Sequence, residues 1–123
     1  MRWSAAERLT AAGYDVLEAG LASEAIERFL STDVDLVLLD LELPDADAAS
    51  VISRIKALAP LTQIVVTTVA ATIPRAVDVV KLGAFDYVQK PFNPDELEFR
   101  VKRALELLDL RREVEMLRKT SAS

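Results

Sequence analysis

The chain of 123 residues contains no cysteine and no histidine. Without cysteine there is neither a disulfide framework nor a thiolate metal site. Without histidine there is no Ser-His triad, no imidazole-ligated metal, and no side chain whose ordinary pKa lies near neutrality. Long apolar runs are missing too: none could span a bilayer, and the N-terminus lacks the basic, apolar, small-residue pattern of a secretion signal. The chain therefore reads as a soluble, cytoplasmic protein with no membrane contact. Positive charge is in short supply, with 15 Lys and Arg against 20 Asp and Glu and a net charge of −5. That balance argues against direct nucleic-acid binding, because phosphate backbones reward clustered basic side chains. What is present is apolar: 51% of the residues are hydrophobic, enough for one compact core at this length.

The apolar residues alternate between two periods. In "RWSAAERLTAAG", Trp3, Ala6, Leu9 and Thr10 fall on one helical face, and Gly13 is placed to end the helix. "YDVLEA" is short and strand-like. Ser23 is expected to cap "EAIERFL", with Ile26, Phe29 and Leu30 facing inward. "VDLVLLD" is a continuous apolar run, as in a parallel strand covered on both faces. "AASVISRIKAL" returns to helical spacing through Val51, Ile52, Ile55 and Leu58 and ends at Pro60. "QIVVTTV" is β-branched and strand-like. Pro74 suits the first turn of a helix carrying Ala76, Val77 and Val80 to Gly83. "FDYVQK" is the last strand. Asn93, Pro94 and Glu96 then supply cap, first-turn proline and capping-box acid for a long final helix.

Strands that alternate with helices imply an α/β domain: a doubly wound parallel sheet whose ligands gather beyond the C-terminal strand ends. Asp40, Thr68 and Lys90 fall at those ends. Each has an ordinary reading alone, as a turn acid, a β-favouring residue and a solvated ammonium. Together, a carboxylate, a hydroxyl and an ammonium on one edge could hold a tetrahedral anion.

The segments "DLVLLDLELPDAD", "TTVA" and "KLGAFDYVQKPFNPDEL" resemble the receiver domain of two-component response regulators, nearest to nitrogen-regulatory receivers that precede an ATPase domain. The resemblance implies a flavodoxin-like fold and phosphorylation of Asp40 by a sensor histidine kinase, with control of an output such as transcription. It implies Thr68 as switch hydroxyl, Tyr87 as switch aromatic and Lys90 as phosphate-contacting ammonium, with a cis bond between Lys90 and Pro91. A carboxylate can attack phosphorus to form an acyl phosphate, and the new phosphoryl group brings charge and three acceptor oxygens for Lys90 and Thr68. Drawing Thr68 inward would vacate space for the Tyr87 ring and carry a local charge event to the surface.

Departures from the family pattern set further expectations. The family's first strand ends in two acids that hold Mg²⁺, and no Asp or Glu precedes Glu7 here. The fold expected is thus a receiver lacking its first strand. Mg²⁺ would be left with Asp40 and the backbone carbonyl of Glu42, a sparse shell for an octahedral ion, unless Asp45, Asp47 or the Glu42 side chain is recruited. Three arrangements would accommodate the loss: a strand encoded upstream of Met1, direct closure of the flanking strands, or a strand lent by a partner chain. Val69 and Ala48 also replace a small residue and a glycine usual in the family. Beside the phosphoacceptor reading stand a degenerate receiver that dimerises or binds proteins without phosphorylation, and an aspartate-nucleophile phosphohydrolase. The last would use Glu42 where its motif has Asp, and lacks a cap domain and metal ligands, so no enzyme is expected.

The final helix divides in two. Leu97, Val101, Ala104, Leu105 and Leu108 have the spacing of a helix docked on a core. Leu107, Leu110, Val114 and Leu117 repeat at three and four residues, like a coiled-coil seam. The expectation is a receiver over residues 1–108, then a linker helix reaching about Arg118 and pairing two copies through Leu110, Val114 and Leu117, with "TSAS" as a disordered end.

Overall fold

The computed structural model describes residues 5–14, 21–42, 44–45, 47–69 and 72–121. The "YDVLEA" strand, beyond Tyr14, and Trp3 lie outside them. In chain order the elements are α1 (Ala5–Ala11), α2 (Ala22–Ser31), β1 (Leu36–Asp40), α3 (Ala48–Leu58), β2 (Gln63–Val69), α4 (Ile73–Val80), β3 (Asp86–Lys90) and α5 (Pro94–Ser121). Among the described residues the strands form one parallel sheet in the order β1-β2-β3.

The sheet is covered on both sides, because β2 presents apolar side chains alternately to each. Ile64 and Val66 join Leu39 and Leu41 against Ala22 and Ile26 of α2, Val51, Ile52 and Ile55 of α3, and Ala76 and Val79 of α4. Val65 and Val88 face the other way, packing with Leu9 of α1 and with Leu97, Val101 and Ala104 of α5. Helices thus lie on both faces, as a doubly wound sheet requires. Asn93 caps α5, its side-chain oxygen accepting from the Asp95 amide at 2.9 Å. Glu96 does not complete a capping box but turns to Arg100, 3.1 Å away, where an oppositely charged neighbour one turn on competes for its carboxylate. Gly13 (φ +100°) and Gly83 (φ +128°) end turns in conformations that favour glycine. The Lys90–Pro91 bond is cis.

Several local expectations give way to tertiary context. β1 is less covered than its apolar run suggested: Leu39 is buried, but Leu36, Val37 and Leu38 are only partly so. Among the described residues it has a strand neighbour on one side only. α2 is not capped by Ser23; its cap position is Leu21. The Asp45 carboxylate accepts instead from the amides of Ala22 (2.6 Å) and Ser23 (3.1 Å). A cap supplied from a distant loop cannot be read from spacing within the helix. Ile26 is buried as expected, but Leu30 is 61% exposed and Val77 41%, because α2 and α4 each bury only a narrow stripe. Thr10 is likewise exposed while Leu9 packs inward. Finally, α5 runs beyond Arg118 to Ser121. Neither glycine nor proline interrupts it there, and Thr and Ser extend a helix already formed at modest cost. Ala122 and Ser123 lie outside the described residues.

Candidate functional site

Parallel pairing brings the strand ends together. Asp40 is the register partner of Thr67, and Lys90 that of Val69, so the two lie on opposite sides of the last residues of β2. Alternation along a strand puts Asp40, Thr67, Val69 and Lys90 on one face of the sheet and Thr68 on the other. The Lys90 ammonium reaches across to the Asp40 carboxylate, with Nζ 2.5 Å from Oδ2. The second carboxylate oxygen accepts from the Glu42 amide at 2.9 Å. Asp40 is therefore not an unpaired buried acid, which would be costly: its side chain is 40% exposed and that of Lys90 32%. The site is an accessible, ion-paired carboxylate whose loop is held close by its own backbone.

Thr68 shares this edge but is turned away. It is fully buried, and its hydroxyl lies 2.5 Å from the Thr72 hydroxyl and 3.2 Å from the Val69 carbonyl. Tyr87 is half-buried, packed against the cluster on the α2–α4 side. Register places it opposite Val66, two residues before Thr68, so Tyr87 and Thr68 are diagonal neighbours on the same face.

Neither loop acid is free to join Asp40. Asp45 holds the start of α2, and Asp47 caps α3 by accepting from the Ala49 amide at 3.2 Å. The two amides of Ala22 and Ser23 hold the Asp45 carboxyl below its ordinary pKa. Among the described residues no group of three acidic, imidazole or thiol side chains is placed to hold a metal.

Residues 1–102 match the response regulator receiver domain family. The chain belongs to that family. The receiver is 32% identical over 105 residues to the regulatory protein AtoC of Escherichia coli, an alignment covering 85% of this chain and 23% of AtoC. It is 36% identical over 106 residues to the alginate biosynthesis transcriptional regulatory protein AlgB of Pseudomonas putida, covering 85% and 23%. Among solved structures it is similar to the receiver domain of NtrX from Brucella abortus, with a TM-score of 0.80 and 30% identity over 83% of this chain and 87% of that one. A longer NtrX structure, in complex with ADP, gives a TM-score of 0.89 and 32% identity over 97% of this chain and 26% of that one. The receiver thus spans about a quarter of the length of such relatives.

Two residues of the site escaped the sequence reading. Thr67 was passed over in favour of Thr68, and only the register with Asp40 gives it a place. Thr72 had a usable signal: a threonine two residues before a proline often opens a helix.

Proposed function

We propose that this receiver accepts a phosphoryl group on Asp40 from a sensor histidine kinase. The observation that carries the reading is the Lys90–Asp40 pair across the end of β2, at 2.5 Å. In the proposed step an Asp40 oxygen attacks phosphorus, and the O–P bond forms as the P–N bond to the donor imidazole breaks. The imidazole takes one proton from solvent and leaves neutral. Lys90 already lies against the nucleophile, so a small movement lets its ammonium bond to a phosphoryl oxygen and offset the added negative charge. Thr68 is the hydroxyl drawn toward that group, and Tyr87, its neighbour on the same face, fills the space it leaves.

Mg²⁺ is the cofactor the family implies, and this chain's own residues offer it the Asp40 carboxylate and the Glu42 carbonyl. The step above is not routed through it. The product is a signalling state rather than a released compound, so we assign no steady-state enzyme activity. The output is transcription, by analogy with the transcriptional regulatory protein AlgB, and the location is the cytoplasm. Among the described residues no helix is long and apolar enough to cross a membrane. Residues 1–108 act as the receiver and 109–123 as a linker that pairs two copies.

Incubation with a small acyl phosphate is expected to add one base-labile phosphoryl mass to the chain. Asp40→Asn should abolish it while leaving the melting transition cooperative. A label retained in that variant would remove Asp40 from the role. An intact, unlabelled wild-type chain would leave only the phosphorylation-independent binding module.

A further inference from the structure

Thr72 is the residue from which α4 begins, and a threonine there ordinarily turns its hydroxyl onto the helix amides. Here it makes no such cap, and the next-but-one residue, Pro74, has no amide proton to offer. The Thr72 hydroxyl is instead 2.5 Å from the Thr68 hydroxyl and 3.0 Å from the Val69 carbonyl. Thr68 lies 3.2 Å from that same carbonyl. The result is a triangle of three oxygens sharing two protons. One hydroxyl donates to the carbonyl and the other donates to the first hydroxyl. In either arrangement the Thr68 proton is spent inside the triangle.

From this we infer that Thr72 is a positioning residue: its hydroxyl, held against Thr68, keeps the switch hydroxyl away from Asp40 until a phosphoryl group competes for it. The inference rests on the reading of Thr68 as the group that answers phosphorylation. A phosphoryl oxygen can only accept, so Thr68 must withdraw its proton from the triangle to bind one. Thr72 then still has the Val69 carbonyl as acceptor, and its hydroxyl is not stranded. The exchange therefore costs one neutral hydrogen bond and forms one to an ionised acceptor, which is roughly twice as strong. The direction of the switch follows from that inequality. Because Thr72 opens α4, releasing Thr68 changes a hydrogen bond at the start of that helix, giving the site a connection to a surface element.

The test compares unlabelled wild type, Thr72→Val and Thr72→Ser by three-bond NMR couplings that report the Thr68 side-chain rotamer. Valine keeps the branched shape but cannot bond; serine keeps the hydroxyl. Removing one net hydrogen bond should shift the Thr68 rotamer ratio about fivefold toward the rotamer of acyl-phosphate-labelled wild type, and Thr72→Ser should restore the resting ratio. A merely structural Thr72 would lower the melting temperature in Thr72→Val without moving the rotamer ratio, and that result overturns the inference. Failure of the phosphoacceptor reading shows separately, as a label that survives Asp40→Asn. The rotamer ratio of the unlabelled chains still decides whether Thr72 holds Thr68.

Discussion

The Asp40–Lys90 ion pair, proposed above as the phosphorylation site, should contribute little to folding. Both side chains are about a third or more exposed, and exposed pairs are worth ~0–1 kcal/mol. Lys90→Met should therefore leave the melting temperature nearly unchanged, while the half-life of the Asp40 phosphoryl label changes severalfold for want of its counter-charge. Asp45 behaves differently. Its carboxyl is held below the ordinary value of 3.8 by the amides of Ala22 and Ser23, so folding favours the charged form. The stabilisation is complete above that ordinary value and is lost as pH falls through the lower folded value. Urea melts of wild type and Asp45→Asn should differ at neutral pH and converge in the acid range below the ordinary carboxylate value. A constant difference across that range would mean that the amides of α2 do not depend on the Asp45 charge. The sparse set of ligands beside Asp40 also carries an expectation for Mg²⁺: a calorimetric titration of the chain should show weak or no saturation. Tight stoichiometric binding would mean that Asp45, Asp47 or Glu42 is recruited, the first two by leaving the helix starts they hold.

At the scale of elements, the contrast between a buried position of one helix and an exposed position of its neighbour is the sharper probe. Ile52 of α3 is fully buried between α2, α4 and the sheet, whereas Leu30 of α2 is 61% exposed. Ile52→Ala removes packed methylenes and leaves a cavity, so it should cost ~2–5 kcal/mol of stability in denaturant melts. Leu30→Ser should fall within ~0.5 kcal/mol of wild type, as surface changes do. The two were equivalent as apolar residues at helical spacing. The packing of α2 against α3 separates them, and equal costs would mean that α2 sits differently on the sheet.

For the whole molecule the question is what α5 does beyond the sheet. Leu97, Val101, Ala104 and Leu108 are buried, and Arg112 reaches the Asp35 carboxylate at 2.7 Å. From there to Ser121 the helix projects ~14 Å at its standard rise. At 3.6 residues per turn, Leu110, Val114 and Leu117 lie on the side away from the buried row, and they are 57%, 42% and 63% exposed. An exposed apolar stripe on a helix this long is the surface that a parallel or antiparallel copy would cover. Sedimentation at micromolar concentration should give a dimer for the chain and a monomer for Leu110→Glu with Leu117→Glu. If both sediment as monomers, α5 only overhangs and the pairing of two copies fails.

Among the described residues, the residue types and their periods determined the elements and their order. A β-branched run such as "QIVVTTV", or apolar residues at three and four along α3, favours its own backbone through local sterics and the face it must bury. The same alternation placed Asp40, Thr68 and Lys90 at one edge, because parallel strands all end on the same side. Tertiary structure decided where each of those side chains turns. Lys90 meets Asp40 only because the end of β2 lies between them, and Thr68 faces away because register assigns it to the other face, where Thr72 waits. The cap of α2 comes from Asp45, the inner face of α2 excludes Leu30, and Arg112 returns to Asp35. The Asp45 cap, the Lys90–Asp40 pair and the Arg112–Asp35 pair each join residues far apart in the chain. A local pattern carries no information about which distant partner arrives, so only the packed sheet and helices could settle them.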